Sequence, residues 1–491
     1  MDNASSWARR SFRWAVGAGA LGAAAAGTAV TALYVVLFGK LVFVDGPPGG
    51  CDGDDCPRGT GWLMLCAPLA GFVTYLLWTV VREARPARGC LARLLAVVVA
   101  LVALWPGWLG FAWMRGPHMD VSGWQVADRP AAVEPVGLWR EERSGTLVRA
   151  RTDMLVAFNG EGRKNWRYAA PDGSAVCALS RTPSAGTGIV AFGRDAARCG
   201  ERVDAVDLAE GRRLWSRDLT PPGGRPVRAR SAAVGSTAVV TEQGALIGLD
   251  LREGAERWRI PVPPECGVAA VDGAGDEALY VEDCTSASRI TAVDARTGAR
   301  LWQSALPTAT ALREVRVLSA RPLALRVEES AERGTHAVLL FDGAGRARGS
   351  VPLSGEAEDL LPGPPFPVVT GDLMVVPVQD GKRTGVSAYS LTDGRRLWHQ
   401  DLEGQTVRGL SVTRPGEVAV IGSDLWWTYL TRLGPADGRR REEEPTVLRD
   451  LPLSGHFEFF AGPPGRYVFV NLDPQDDTLF PTFDIDPVWG W

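Results

Sequence analysis

An eleven-residue segment recurs along the chain and restricts its fold more than any other feature. Ala205–Trp215 (AVDLAEGRRLW) returns as Gly248–Trp258 (GLDLREGAERW), Ala292–Trp302 (AVDARTGARLW) and Ala388–Trp398 (AYSLTDGRRLW), the last with Ser390 in place of aspartate. A copy one residue shorter is Ala157–Trp166 (AFNGEGRKNW), a Trp-less one is Leu339–Gly349 (LLFDGAGRARG), and a worn one is Tyr429–Arg441. The first four tryptophans step by 49, 43 and 44 residues, and the 96 between Trp302 and Trp398 make two further steps of 48. A period of about 46 residues belongs to a radial array with four strands per unit. Valine-rich alternation before the aspartate reads as a strand. Asp207, Asp250 and Asp294 cap a turn, Gly211, Gly254, Gly298 and Gly394 supply its positive φ, and the Trp-bearing stretch reads as the next strand. One such unit cannot bury both faces, so radial stacking closes the core and removes long edges. Roughly 350 residues of such units predict an all-β propeller of seven blades, with eight as the alternative. The segments Gly455–Leu472 and Gly137–Arg151 are expected to share the blade that joins the two chain ends.

The pattern Ala-x-Asp-x-x-Thr/Glu-Gly-x-x-x-Trp, clearest in Ala292–Trp302, resembles the repeat of the PQQ-like (quinoprotein-type) β-propeller family. Five good copies and two degraded ones carry the resemblance, which implies the fold and is far less specific for function. Some members are quinoprotein dehydrogenases, which hold pyrroloquinoline quinone and calcium on the propeller axis between adjacent cysteines and a shell of Glu, Asn and Asp. Here no two cysteines are adjacent and no C-x-x-C-H haem site occurs, so neither quinone nor haem is expected. Trp166, Trp215, Trp258, Trp302 and Trp398 read instead as anchors between blades, and their aspartates as turn residues. No G-x-S-x-G elbow, phosphate loop, H-E-x-x-H or kinase signature is found, and no catalytic or cofactor-binding residue is assigned. Asp473, Asp476 and Asp477 offer oxygen ligands of the kind calcium takes, but a solvated acidic turn is the simpler reading.

Ahead of the array the chemistry changes. Windows 14–39, 59–81 and 94–114 carry no Asp, Glu, Lys or Arg, and each is long enough to cross a bilayer core of about 30 Å. Arg9, Arg10 and Arg13 precede the first window, and Arg82, Arg85, Arg88 and Arg93 lie between the second and third. Asp45, Asp52, Asp54 and Asp55 occupy the loop between the first and second. Arginine on one side and acid on the other predicts a cytoplasmic N-terminus (1–13), three spans, a linker (116–136) and a propeller (137–491) outside the cytoplasmic membrane. The pair Arg9-Arg10 also looks like a twin-arginine export signal, yet the window after it is too long for a signal core.

The cysteines divide accordingly. Cys66 and Cys90 are expected to stay thiols, whereas Cys51–Cys56, Cys177–Cys199 and Cys266–Cys284 are candidate disulfides, the last two each embracing two short strands. With 46% apolar and 22% charged residues the chain is no disordered polymer, and a net charge of −4 argues against a nucleic-acid partner. The expected function is a non-enzymatic binding, scaffold or sensor module recognising a protein, peptide or glycan on the propeller face. A quinone-dependent oxidoreductase or electron-transfer protein is the competing class.

Overall fold

The computed structural model describes residues 135–141, 145–159, 163–194, 199–219 and, with short interruptions, 230–442. It also describes strands His118–Met119, Trp124–Val126, Thr446–Leu448, Phe457–Ala461, Tyr467–Asn471 and Val488–Gly490, and the isolated residues Gly17, Leu94 and Val98. The three candidate spans, Cys51–Cys56 and the aspartates at 473, 476 and 477 otherwise lie outside the described residues. Among the described residues no helix is long and apolar enough to cross a membrane. Two compact units are present. In one, comprising 1–119, 424–428 and 446–449, His118–Met119 pairs in parallel with Thr446–Leu448.

The other unit is a seven-bladed β-propeller. Five of its sheets are simple four-stranded antiparallel meanders whose strands follow chain order from the inner edge outward, from Ala175–Leu179 to Arg213–Asp218 in the second blade and from Ser231–Val234 to Glu256–Pro261 in the third, for example. First strands of successive sheets adjoin one another around the axis. Middle strands are buried along their whole length, as in Thr187–Gly193 and Leu323–Glu329, because a blade touches a neighbour on each face. Outer strands such as Arg300–Ala305 alternate instead. Separate apolar clusters fill the spaces between successive blades. Ile189, Ala205 and Trp215 meet Ala238 and Ile247 in one, and Leu318, Ala324 and Leu340 meet Met374 and Tyr389 in another.

The sixth blade departs from the pattern at its inner edge. Its first strand is split into Asp359–Leu360 and Val368–Thr370, both paired with Leu373–Asp380. The interruption coincides with Leu361-Pro362-Gly363-Pro364-Pro365-Phe366-Pro367, where prolines lack the N–H a ladder needs.

The seventh sheet is wider than the rest. Thr406–Arg414, Glu417–Ser423 and Thr428–Leu433 continue, through a parallel contact of Gly409 with Phe457, into Phe457–Ala461, Tyr467–Asn471, Val488–Gly490 and finally Trp124–Val126. The two ends of the propeller chain are therefore hydrogen-bonded together, Gln125 opposite Trp489. Val468 and Val470 then pack on Leu147, Val156 and Phe158 of the first blade. This differs from the expected closure. Pro135–Glu141 and Thr146–Arg151 are the first two strands of the first blade, and the strand that the N-terminal side of the propeller adds to Val488–Gly490 is Trp124–Val126, which at three residues is too short to show a period.

Cys177–Cys199 and Cys266–Cys284 are disulfides, with Cα–Cα distances of 5.5 and 3.9 Å. Cys266 and Cys284 are direct cross-strand partners. Cys177 sits at a bulge, and its bond passes the middle strand where Gly193 pairs with both Ala175 and Cys199. Each bridge joins strands of one blade. Replacing both Cys177 and Cys199 by serine frees a loop with a sequence separation of 22. The pair of substitutions is expected to lower unfolding free energy by about 3 kcal/mol, read as the urea midpoint of the oxidised protein against the variant.

Candidate functional site

The repeat residues meet at the seams between blades. Asp207, Asp250 and Asp294 each accept two backbone N–H bonds from the residues two and three positions on, at 2.8 to 3.3 Å. Ser390 takes the same place with a single bond from Thr392 N at 3.2 Å. The glycine closing each turn has φ near +70°, +69° at Gly211 and +72° at Gly254. Across the ladder from each tryptophan stands a small residue, Ala157, Ala205, Gly248, Ala292 or Ala388, over which the ring lies.

Each ring then reaches the next blade. Trp166 Nε1 donates to Leu208 O at 3.0 Å, Trp215 to Leu251 O at 2.9 Å, Trp258 to Ala295 O at 2.8 Å and Trp398 to Pro435 O at 2.7 Å. The ring faces press on the turn glycines of that neighbour. A Cβ on Gly211, Gly254, Gly298, Gly345 or Gly438 would sit within 2.8 Å of a tryptophan carbon. Trp302 is the variant case. Its neighbour turn, Asp342 to Gly345, is one residue shorter, and its Nε1 donates instead to the Glu277 carboxylate at 2.9 Å. The Trp-less copy has Gly349 at the tryptophan position, and a Cβ there would lie 2.6 Å from Asp393 O. Gly394, at the next turn, faces Ser350 backbone in place of a ring. Trp139, outside the repeat, makes the same kind of seam: it is fully buried, donates to Ser180 O at 2.7 Å and lies against Gly188.

The seams leave the axis free. A cavity of about 1200 Å³ there is lined from the second to the seventh sheets, and an adjoining one of about 670 Å³ adds Leu138 and Arg140 of the first. Arg181, Leu318, Pro367 and Glu458 line both. Arg181 donates to Asp272 Oδ2 and Val317 O, each at 2.7 Å, tying the second blade to the fourth and fifth. Burial nevertheless pushes the Asp272 carboxyl above its usual range. Glu328 takes hydrogen bonds from Arg313 and Arg326; burial would raise its carboxyl, but the two guanidiniums hold it below the ordinary value. Phe366, delivered by the proline-rich interruption of the sixth blade, lies 4.0 Å from the Arg316 guanidinium. Burial pushes Arg316 down, and its carboxylate neighbour is Glu314 at 3.7 Å. Glu458 enters from Phe457–Ala461, and burial alone raises its carboxyl to about 7.

None of these cavity residues was marked by the sequence pattern. They stand at 181, 272, 316, 366 and 458, one per blade edge, with no shared spacing; the one local signal is a glutamate inside the apolar run Phe457-Glu458-Phe459-Phe460. Among the described residues no group of three His, Cys, Asp or Glu could hold a metal ion. His336 and His399 are apart, His399 Nδ1 lying 3.1 Å from Glu358.

The family described as outer membrane protein assembly factor BamB matches residues 199–362 and 286–450, together just over half of the chain. The chain belongs to that family. BamB from Moraxella catarrhalis is similar at 16% identity, with 75% of this chain and 98% of that one covered and a TM-score of 0.44. The WD40 repeats of RRP9 are 14% identical, with coverage of 76% and 98% and a TM-score of 0.39. The C-terminal WD40 domain of Sif2 is 8% identical, with coverage of 74% and 98% and a TM-score of 0.45. No curated protein matches the chain.

Gly244 and Gly254 share a φ near +70°, but a Cβ on Gly244 meets nothing while one on Gly254 meets Trp215 at 2.6 Å. Gly244→Ala should cost about 1–2 kcal/mol for the left-handed backbone, and Gly254→Ala about 1–3 kcal/mol more for the displaced ring, measured by urea unfolding. Glu458 binds its proton more tightly folded than unfolded, so its contribution is full below about 4.5 and is lost as pH rises through about 7. Glu458→Gln should therefore gain about 1–3 kcal/mol over the parent at pH 8 and little at pH 4.5 in paired denaturation curves.

Proposed function

We propose that this protein is a non-enzymatic binding scaffold whose propeller recognises a partner outside the cytoplasmic membrane, tethered there by three N-terminal spans. The observation that carries the binding role is the axial cavity, to which side chains from every blade contribute while the repeat residues are engaged at the seams. Membership of a family described by an assembly factor favours a protein or peptide over a glycan. Two disulfides support an oxidising compartment, since glutathione keeps cytosolic thiols reduced. Together with arginine before the first span and aspartate after it, they favour an extracytoplasmic propeller. The scaffold needs no quinone, calcium or other cofactor.

In intact cells, an impermeant maleimide applied after reduction should modify Cys177 and Cys199 and leave Cys90 untouched. The opposite pattern inverts the orientation. Photo-crosslinkers placed on the cavity rim of the full-length chain should capture a discrete protein partner by mass spectrometry. Dye-linked substrate oxidation on adding pyrroloquinoline quinone and calcium to the purified chain would instead make it an enzyme.

A further inference from the structure

Building on the scaffold reading, we propose that the axial cavity receives an acidic peptide segment, one carboxylate of which is bound by Arg316 while an apolar neighbour rests on Phe366.

The charged side chains of the cavity are unequally paired. Asp272 is engaged by Arg181, and Glu328 by Arg313 and Arg326, with hydrogen bonds in each case. Arg316 has a carboxylate neighbour, Glu314, but at 3.7 Å, and no hydrogen bond from its guanidinium is found among the described residues. A guanidinium carries five N–H donors, so this one enters the cavity with its directional capacity unused. Its side chain is 43% exposed, enough to be reached. Arg181 and Arg326 add positive charge nearby. The lining as a whole is balanced, Arg181, Arg230, Arg313 and Arg316 against Asp272, Glu314, Glu328 and Glu458, so what invites an anion is the unused donors of Arg316 and not an excess of positive charge.

Phe366 determines how that cation is presented. A ring 4.0 Å from the guanidinium carbon occupies one face of the group. Stacking of this kind leaves the edge N–H groups available, and that edge matches the two oxygens of a carboxylate. Phe366 itself is 40% exposed, an apolar surface beside the charge. An acidic residue followed by an apolar one presents both complements.

Size and lining favour a chain over a compact ligand. Small-molecule pockets run to roughly 300–1,000 Å³ and are mostly apolar. This cavity is larger, opens into a second one, and is lined by arginines, acids and strand edges. Glu458 lines both compartments and has no partner among the described residues. Above about pH 7, where it is ionised, it repels a second carboxylate and accepts a backbone N–H, which places the peptide's acid on the Arg316 side.

The test uses purified full-length protein in detergent and a fluorescein-labelled octapeptide of alternating aspartate and leucine, with fluorescence polarisation as readout. Saturable binding is expected, at least ten-fold tighter than for the asparagine counterpart and weakening with salt. Arg316→Gln should reduce affinity about ten-fold, and Arg316→Lys should retain part of it, both at an unchanged urea midpoint. If Arg316→Gln does not fold, the aspartate-to-asparagine comparison on the parent protein decides alone. Equal affinity for the two peptides, or no saturable binding, overturns the proposal. Free succinate competing as well as the peptide does also overturns it, because the site would then take a small dicarboxylate. A cross-linked partner in cells without peptide binding refutes this inference and leaves the scaffold reading standing.

Discussion

Five of the propeller's seven seams rest on one contact, a tryptophan ring laid flat on the glycine of the next blade's turn. The contact needs three residue types at once. The turn glycine has to be a glycine twice over, because its φ is left-handed and because a Cβ would enter the ring. The position across the ladder must be Ala or Gly so that the ring can lie down. The indole N–H must find an acceptor, and a backbone carbonyl of the next turn supplies it in four of the five cases, directly after the turn aspartate in three and after Gly434 in the fourth. A motif spread over eleven residues of one blade is thus the imprint of an interface with another. Where the tryptophan is missing, the seam survives by close backbone approach, Gly349 against the turn at Asp393.

Because the seams are so uniform, specificity has to come from departures. The sixth blade breaks its inner strand at a run of prolines and puts Phe366 beside Arg316. Arg181 spans blades to reach Asp272 and Val317. The closing sheet contributes Glu458, whose carboxyl is raised by burial with no compensating cation among the described residues. These irregularities all converge on the axis. The repeat builds a rigid frame and its exceptions furnish the cavity.

Much of this frame is legible in the chain. The period, the turn aspartates and glycines, and the short strands around Cys177–Cys199 and Cys266–Cys284 follow from local rules, since turns, alternation and neighbouring strands are set by nearby residues. Trp139 escapes that reading. It makes the same seam to Ser180 and Gly188 from an inner strand, where no repeat position marks it. Gly345 and Gly438 belong to the degraded copies and still carry tryptophan rings, so the physical contact outlasts the sequence pattern.

By itself, then, the sequence determined a radial all-β array and the anchors of its seams, because each is encoded within one repeat or between adjacent ones, and it offered Cys177–Cys199 and Cys266–Cys284 as candidates that the structure shows bonded. Tertiary structure alone decided how the ring closes and what faces its axis. Trp124–Val126 meets Val488–Gly490 across more than 360 residues, a pairing that depends on the summed rotation of all the blades. Arg181, Asp272, Arg316, Phe366 and Glu458 come together for the same reason: each sits at the inner edge of a different blade, and only closure brings those edges around one space.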